Sequence, residues 1–165
     1  MKRGEKVVLG IIGLMAIAAV VQNQLFSRPT TGPAADKGIP FYTTASPELA
    51  RHGSDLVREN DCRQCHSLWS VRNIMQSVPS PSLDGMGDLR TEAWLYAYLS
   101  SPAPQSILPS RLKPEYRMPS FASLPEEERR TLAKYLASLH VKDWYLEETR
   151  KSEYEKLTGK DDYKK

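Results

Sequence analysis

Apolar residues are spread unevenly along this chain. The first stretch, VVLGIIGLMAIAAVV, is an unbroken run from Val7 to Val21. As a helix its 15 residues span about 22 Å, between a signal-peptide core and a full membrane crossing. Extension through Gln22, Asn23 and Gln24 to Leu25 and Phe26 brings the span to about 30 Å. Residues 27–46, SRPTTGPAADKGIPFYTTAS, lose all periodicity and are rich in Pro, Gly, Thr and Ala, as a flexible linker is. A helical pattern then starts sharply and is predicted over 47–60, with Ser46 as N-cap, Pro47 at the first helical position and Glu48 in the first turn.

Residues 67–88 read as turns, punctuated by Pro79, Pro81, Gly85 and Gly87. A second helix is predicted over 92–100, capped by Thr91, with Trp94, Leu95, Tyr98 and Leu99 on its apolar side. Five prolines from Pro102 to Pro119 exclude regular structure over 102–121. A third helix is predicted from about Ser123, where Ser123 and Glu126 have capping-box spacing, with Leu132, Tyr135, Leu136 and Leu139 in helical register. The tail 141–165 carries a further helical pattern, with Glu147 and Lys151 at i, i+4 and Gly159 as a stop. No segment reads as a buried strand. The pattern predicts an all-α protein divided into 1–26, 27–46, 47–140 and 141–165.

Charge refines that division. The 165 residues carry a formal charge of +3. Lys2, Arg3 and Lys6 against Glu5 place +2 of it before the apolar run, while seven basic and seven acidic residues cancel in the tail. This is not the basic footprint of a nucleic-acid binder. Basic residues before an apolar run keep that end in the cytoplasm and export the rest. Residues 1–26 are therefore expected to form a single-pass anchor in the cytoplasmic membrane, with the remainder on the periplasmic side. Ala16-Ile17-Ala18 has the small-residue form of a signal cleavage site, but the apolar run continues straight past it. A removed signal peptide is the other reading.

The most specific chemistry is Cys62-Arg63-Gln64-Cys65-His66, the C-x-x-C-H signal of a c-type haem. Two thiols on one turn add to the vinyl groups of one porphyrin, and the adjacent histidine becomes an axial ligand of the iron. A thioredoxin-like C-x-x-C wants a preceding strand in a βαβ unit, and a structural zinc wants four ligands. Neither context is present. An exported chain also permits a Cys62–Cys65 disulfide.

The ligand opposite His66 decides between electron transfer and catalysis or sensing. Met118 is the candidate, 52 residues after His66, in Tyr116-Arg117-Met118-Pro119 at the end of the proline-rich loop. Pro119 stiffens the backbone and pushes Met118 towards an extended conformation. The alternatives are poorer: Met75 follows His66 too closely, Met86 is expected on the proximal side, and His52 and His140 are expected at the surface.

Taken together, residues 47–140 resemble a class I cytochrome c of the small membrane-anchored bacterial kind. Gly53-x-x-Leu56, with Tyr135 on the last helix, is similar to the family's crossing of terminal helices. Pro81-Ser82-Leu83-x-Gly85 resembles the loop after the haem motif, which implies that the Pro81 carbonyl accepts a hydrogen bond from His66. Arg90 and Trp94 match a recurrent pattern near the haem edge, and Met118-Pro119 matches the distal-ligand motif. The resemblance implies three to five short helices around one covalent haem c, with His66 and Met118 as iron ligands. It also implies a single-haem electron carrier, or a haem subunit of a respiratory or photosynthetic complex. Its partners would be the lipid bilayer and a quinol-oxidising complex or a terminal oxidase or reductase. A haem enzyme or gas sensor with a displaceable sixth ligand is the alternative; the distal stretch offers it no evident acid–base group. Two features depart from the family: the loop before Met118 is long, and 141–165 is additional.

Overall fold

Helix α1, Pro47–Glu59, begins where the capping chemistry predicts, with Ser46 Oγ accepting the Leu49 N–H at 3.2 Å. It belongs to a computed structural model that describes Ile11, residues 13–15, Ile17, 37–72, Ile74 and 78–164. The apolar run expected to form an anchor falls largely outside those residues. Its described positions are helical, and among the described residues no helix is long and apolar enough to cross a membrane. Residues 39–165 form one compact unit.

After α1, a single 3₁₀ turn, Cys62–Gln64, leads to the short helix α2, Met86–Leu89. Helix α3, Glu92–Ser100, is capped by Thr91 Oγ1, which accepts the Trp94 N–H at 3.2 Å. Helix α4, Glu126–Ala137, starts later than the capping-box spacing predicts. Ser123 does not cap it; Pro125 takes the N-cap position with its φ near −50°. The proline-rich loop contains two 3₁₀ turns, Pro104–Ser106 and Pro114–Tyr116.

The unit is mostly helical, as expected, but two short strands correct the reading that no segment is a buried strand. Strand β1, Phe41–Thr43, pairs antiparallel with β2, Leu139–Val141, in the register Phe41↔Val141, Tyr42↔His140 and Thr43↔Leu139. Leu139 and Val141 are buried. Three residues are too few for an alternating pattern to show, so this pairing is set by tertiary contact alone. It places the end of the expected linker within the fold. It also straddles the expected boundary at residue 140, and helix α5, Asp143–Thr158, belongs to the same unit.

The core is built where α1 and α3 pack on α4. Leu56, Val57, Leu95, Leu99, Leu132 and Leu136 are all buried there. Gly53 sets the closeness of the α1–α4 crossing, because a Cβ there would overlap the Cγ and Cβ of Tyr135. Helix α5 covers the other end. Thr149 is buried against Gly85, and Tyr145 meets Phe41 edge-on at 5.5 Å. Its C-terminus is closed by Gly159 at φ 74°. The ion pair on its surface is Lys151–Glu155 at 3.9 Å, one turn on from the predicted Glu147–Lys151.

Gly53→Ala should therefore force the two helices apart and destabilise the protein by about 1–3 kcal/mol, the usual cost of overpacking a core. Urea unfolding of the haem-loaded protein measures it; an unchanged midpoint would mean the crossing is not tight.

Candidate functional site

The 3₁₀ turn at Cys62 gathers the motif on one short loop. Asp61, in the left-handed region at φ 55°, ends α1 and starts that turn. The Cys62 carbonyl accepts from Cys65 N–H at 3.3 Å and His66 N–H at 2.9 Å. Both thiols are free of disulfide bonding and partly buried. Burial pushes the Cys62 thiol up to about 11, so in the polypeptide alone it is a neutral thiol.

His66 is oriented by one bond. Its Nδ1 lies 2.7 Å from the Pro81 carbonyl oxygen. A carbonyl only accepts, so Nδ1 carries the proton and Nε2 keeps its lone pair. Burial lowers the pKa of the imidazole, and the Pro81 hydrogen bond opposes that without reversing it. A neutral, fixed imidazole is what a metal requires of histidine.

A carboxylate that the sequence did not single out ties together the segments on either side of the His66–Pro81 bond. Asp84 is only 5 % exposed. It accepts from Trp69 N–H at 2.6 Å, Ser70 N–H at 3.1 Å and Ser82 Oγ–H at 2.8 Å. Trp69 and Ser70 both sit in the left-handed region, at φ 55° and 57°, unusual for residues with side chains. The buried acceptor stabilises that turn and so joins the chain just after His66 to the chain just after Pro81.

A cavity of about 310 Å³ opens beside His66. Cys62, Cys65, His66, Pro81, Arg90, Trp94 and Met118, the residues singled out from the sequence, all line it. Met118 enters from the proline-rich loop, where its backbone is pinned. Gln105 Nε2–H donates to the Met118 carbonyl at 2.8 Å, and Ser120 Oγ–H donates to the Ser101 carbonyl at 2.7 Å. Gln105 carried no sequence signal. Leu83, Leu95, Leu99 and Phe121 supply apolar wall. Arg90 lies 5.0 Å over the Trp94 ring, which stacks on Tyr98 at 5.1 Å. Met86 lines the cavity too, and Met75 lies outside the described residues. His52 is exposed. His140 is turned to Asp88, with Nδ1 and Oδ1 2.7 Å apart, and stacks on Tyr42. Glu153, Lys156 and Leu157, from α5, complete the lining. They were not anticipated, since they lie far from the motif in sequence.

These residues fit a c-type haem. Paired thiols on one turn can form the two thioether links, the imidazole presents a free Nε2, and the crevice is mostly apolar. The family model described as Cytochrome c matches residues 50–140. Neither a curated protein nor a solved structure matches the chain.

Proposed function

The chain belongs to the cytochrome c family, and on that footing we propose that it is a membrane-tethered electron carrier, or a fixed haem subunit of a membrane oxidoreductase, with His66 and Met118 as its axial ligands. Haem c, bound covalently through Cys62 and Cys65, supplies an iron that accepts and releases one electron. His66 offers Nε2 from one element, and its Nδ1–H bond to Pro81 keeps the ring from rotating. Met118 offers a thioether from another, on a loop stiffened by Pro119 and tied by Gln105. Two ligands, each on an anchored element, would leave no position for substrate, and His/Met ligation would raise the reduction potential.

The observation that carries this reading is the meeting of His66 and Met118 at one apolar cavity, each held by its own hydrogen bond. The rival haem enzyme finds little support there. Among the described residues lining the cavity, His66 is the only histidine, and it is the one committed to the haem motif. Proton-handling oxygen chemistry wants an uncommitted acid–base group at the cavity, and the Glu153 carboxyl on its lining is paired with Arg90 at 2.9 Å.

The sequence supports the proposed membrane tethering. Lys2, Arg3 and Lys6 before the apolar run keep residues 1–6 in the cytoplasm and place the haem domain on the outer face. A tether along residues 27–40 raises the effective concentration of the domain at membrane complexes. A quinol-oxidising complex and a terminal oxidase or reductase are the partners this arrangement suits.

Met118→Ala is expected to lower the reduction potential and change the visible spectrum of the haem-loaded protein. An unchanged spectrum would exclude Met118 as a ligand. The full chain expressed with its N-terminus intact is expected to sediment with membranes and to be released by detergent, not by salt. Recovery in the soluble periplasmic fraction would show instead that the leader is removed.

A further inference from the structure

Helix α5 lies beyond the family match, which ends at residue 140. It is not a solvated appendage. Glu153, Lys156 and Leu157 are spaced i, i+3 and i+4 and so share one side of the helix, and that side lines the haem cavity.

Contacts along its length hold it there. Glu153 Oε1 pairs with the Arg90 guanidinium at 2.9 Å, with the side chains only 15 % and 22 % exposed. Arg111, from the proline-rich loop, donates from Nε to the Lys156 carbonyl at 3.3 Å, where the last turn leaves acceptors unpaired. A Cβ on Gly159 would lie 3.0 Å from that same guanidinium, so the glycine stop and the arginine fit together. Thr149 is packed on Gly85 at the other end. The two features that depart from the family, the long loop and the tail, thus meet each other.

We propose that α5 is a built wall of the haem site, with Leu157 covering the cofactor and Glu153 acting as a positioning residue through Arg90. The proposal rests on haem occupying the cavity described above. Burial raises the pKa of the Glu153 carboxyl, and Arg90 opposes that rise. When ionised, the carboxylate sits at the rim of an apolar crevice, where charge is poorly screened, and favours the more positive ferric state. Leu157 acts the other way by excluding water, which favours the less charged ferrous state.

Methyl NMR of the reduced, haem-loaded full chain tests this, with Leu157 assigned through Leu157→Ile. The porphyrin ring current is expected to move the Leu157 methyl signals out of the ordinary methyl range, along with those of Leu83 and Leu99. Displacement of Leu83 and Leu99 without Leu157 would overturn the proposal and leave the haem reading standing. Displacement of none would overturn both. Glu153→Gln, measured at mildly alkaline pH, separates the positioning role from simple closure. It is expected to raise the reduction potential while the Leu157 signals stay displaced. An unchanged or lower potential would overturn the role of Glu153.

Discussion

The hydrogen bond from His66 Nδ1 to the Pro81 carbonyl, 2.7 Å long, is the constraint around which the domain is arranged. An iron ligand is useful for electron transfer only if it keeps its position as the charge on the metal changes. Imidazole rotates freely about its own bonds, so something must fix it, and a backbone carbonyl does so without adding charge. Next to it, buried Asp84 binds the two left-handed residues after the motif and the Ser82 hydroxyl, joining the chain after His66 to the chain after Pro81. The proline-rich loop repeats the logic for Met118, with Gln105 gripping the backbone and prolines limiting its motion. Rigidity is placed at His66 and Met118, while leucines and Phe121 supply apolar wall to the rest of the crevice.

The helices serve that arrangement. The crossing of α1 on α4 at Gly53 and Tyr135 brings the end of α1, and so Cys62, to the core. Helix α3 supplies Leu95 and Leu99 to the same core and Trp94 to the cavity. Because α3 and α4 frame the start and finish of the proline-rich loop, their packing also sets where Met118 emerges.

The haem motif and most of the helices were legible in the sequence for local reasons. C-x-x-C-H is contiguous, Ser46-Pro47-Glu48 and Thr91 are local caps, and the apolar positions of α3 and α4 recur at helical spacing. What escaped is non-local. The β1–β2 pair joins segments nearly a whole domain apart, and each strand is too short to carry a period. Asp84 looks like any loop aspartate until Trp69 and Ser70 are folded onto it. Glu153 and Arg90 have no spacing relation to reveal them, nor do Arg111 and the Lys156 carbonyl it holds at the end of α5. Ser123 and Glu126 satisfy the capping-box spacing and point to a start near Ser123, while Pro125 occupies the cap itself.

An iron held by two protein ligands on two separately anchored loops is the central claim, and carbon monoxide tests it most directly. The gas binds reduced haem iron only where a coordination position is open or easily vacated. Adding it to the reduced, haem-loaded protein should leave the visible spectrum unchanged. Fast and complete binding would contradict the account, since it would mean a loose or open sixth position and a protein built for catalysis or sensing.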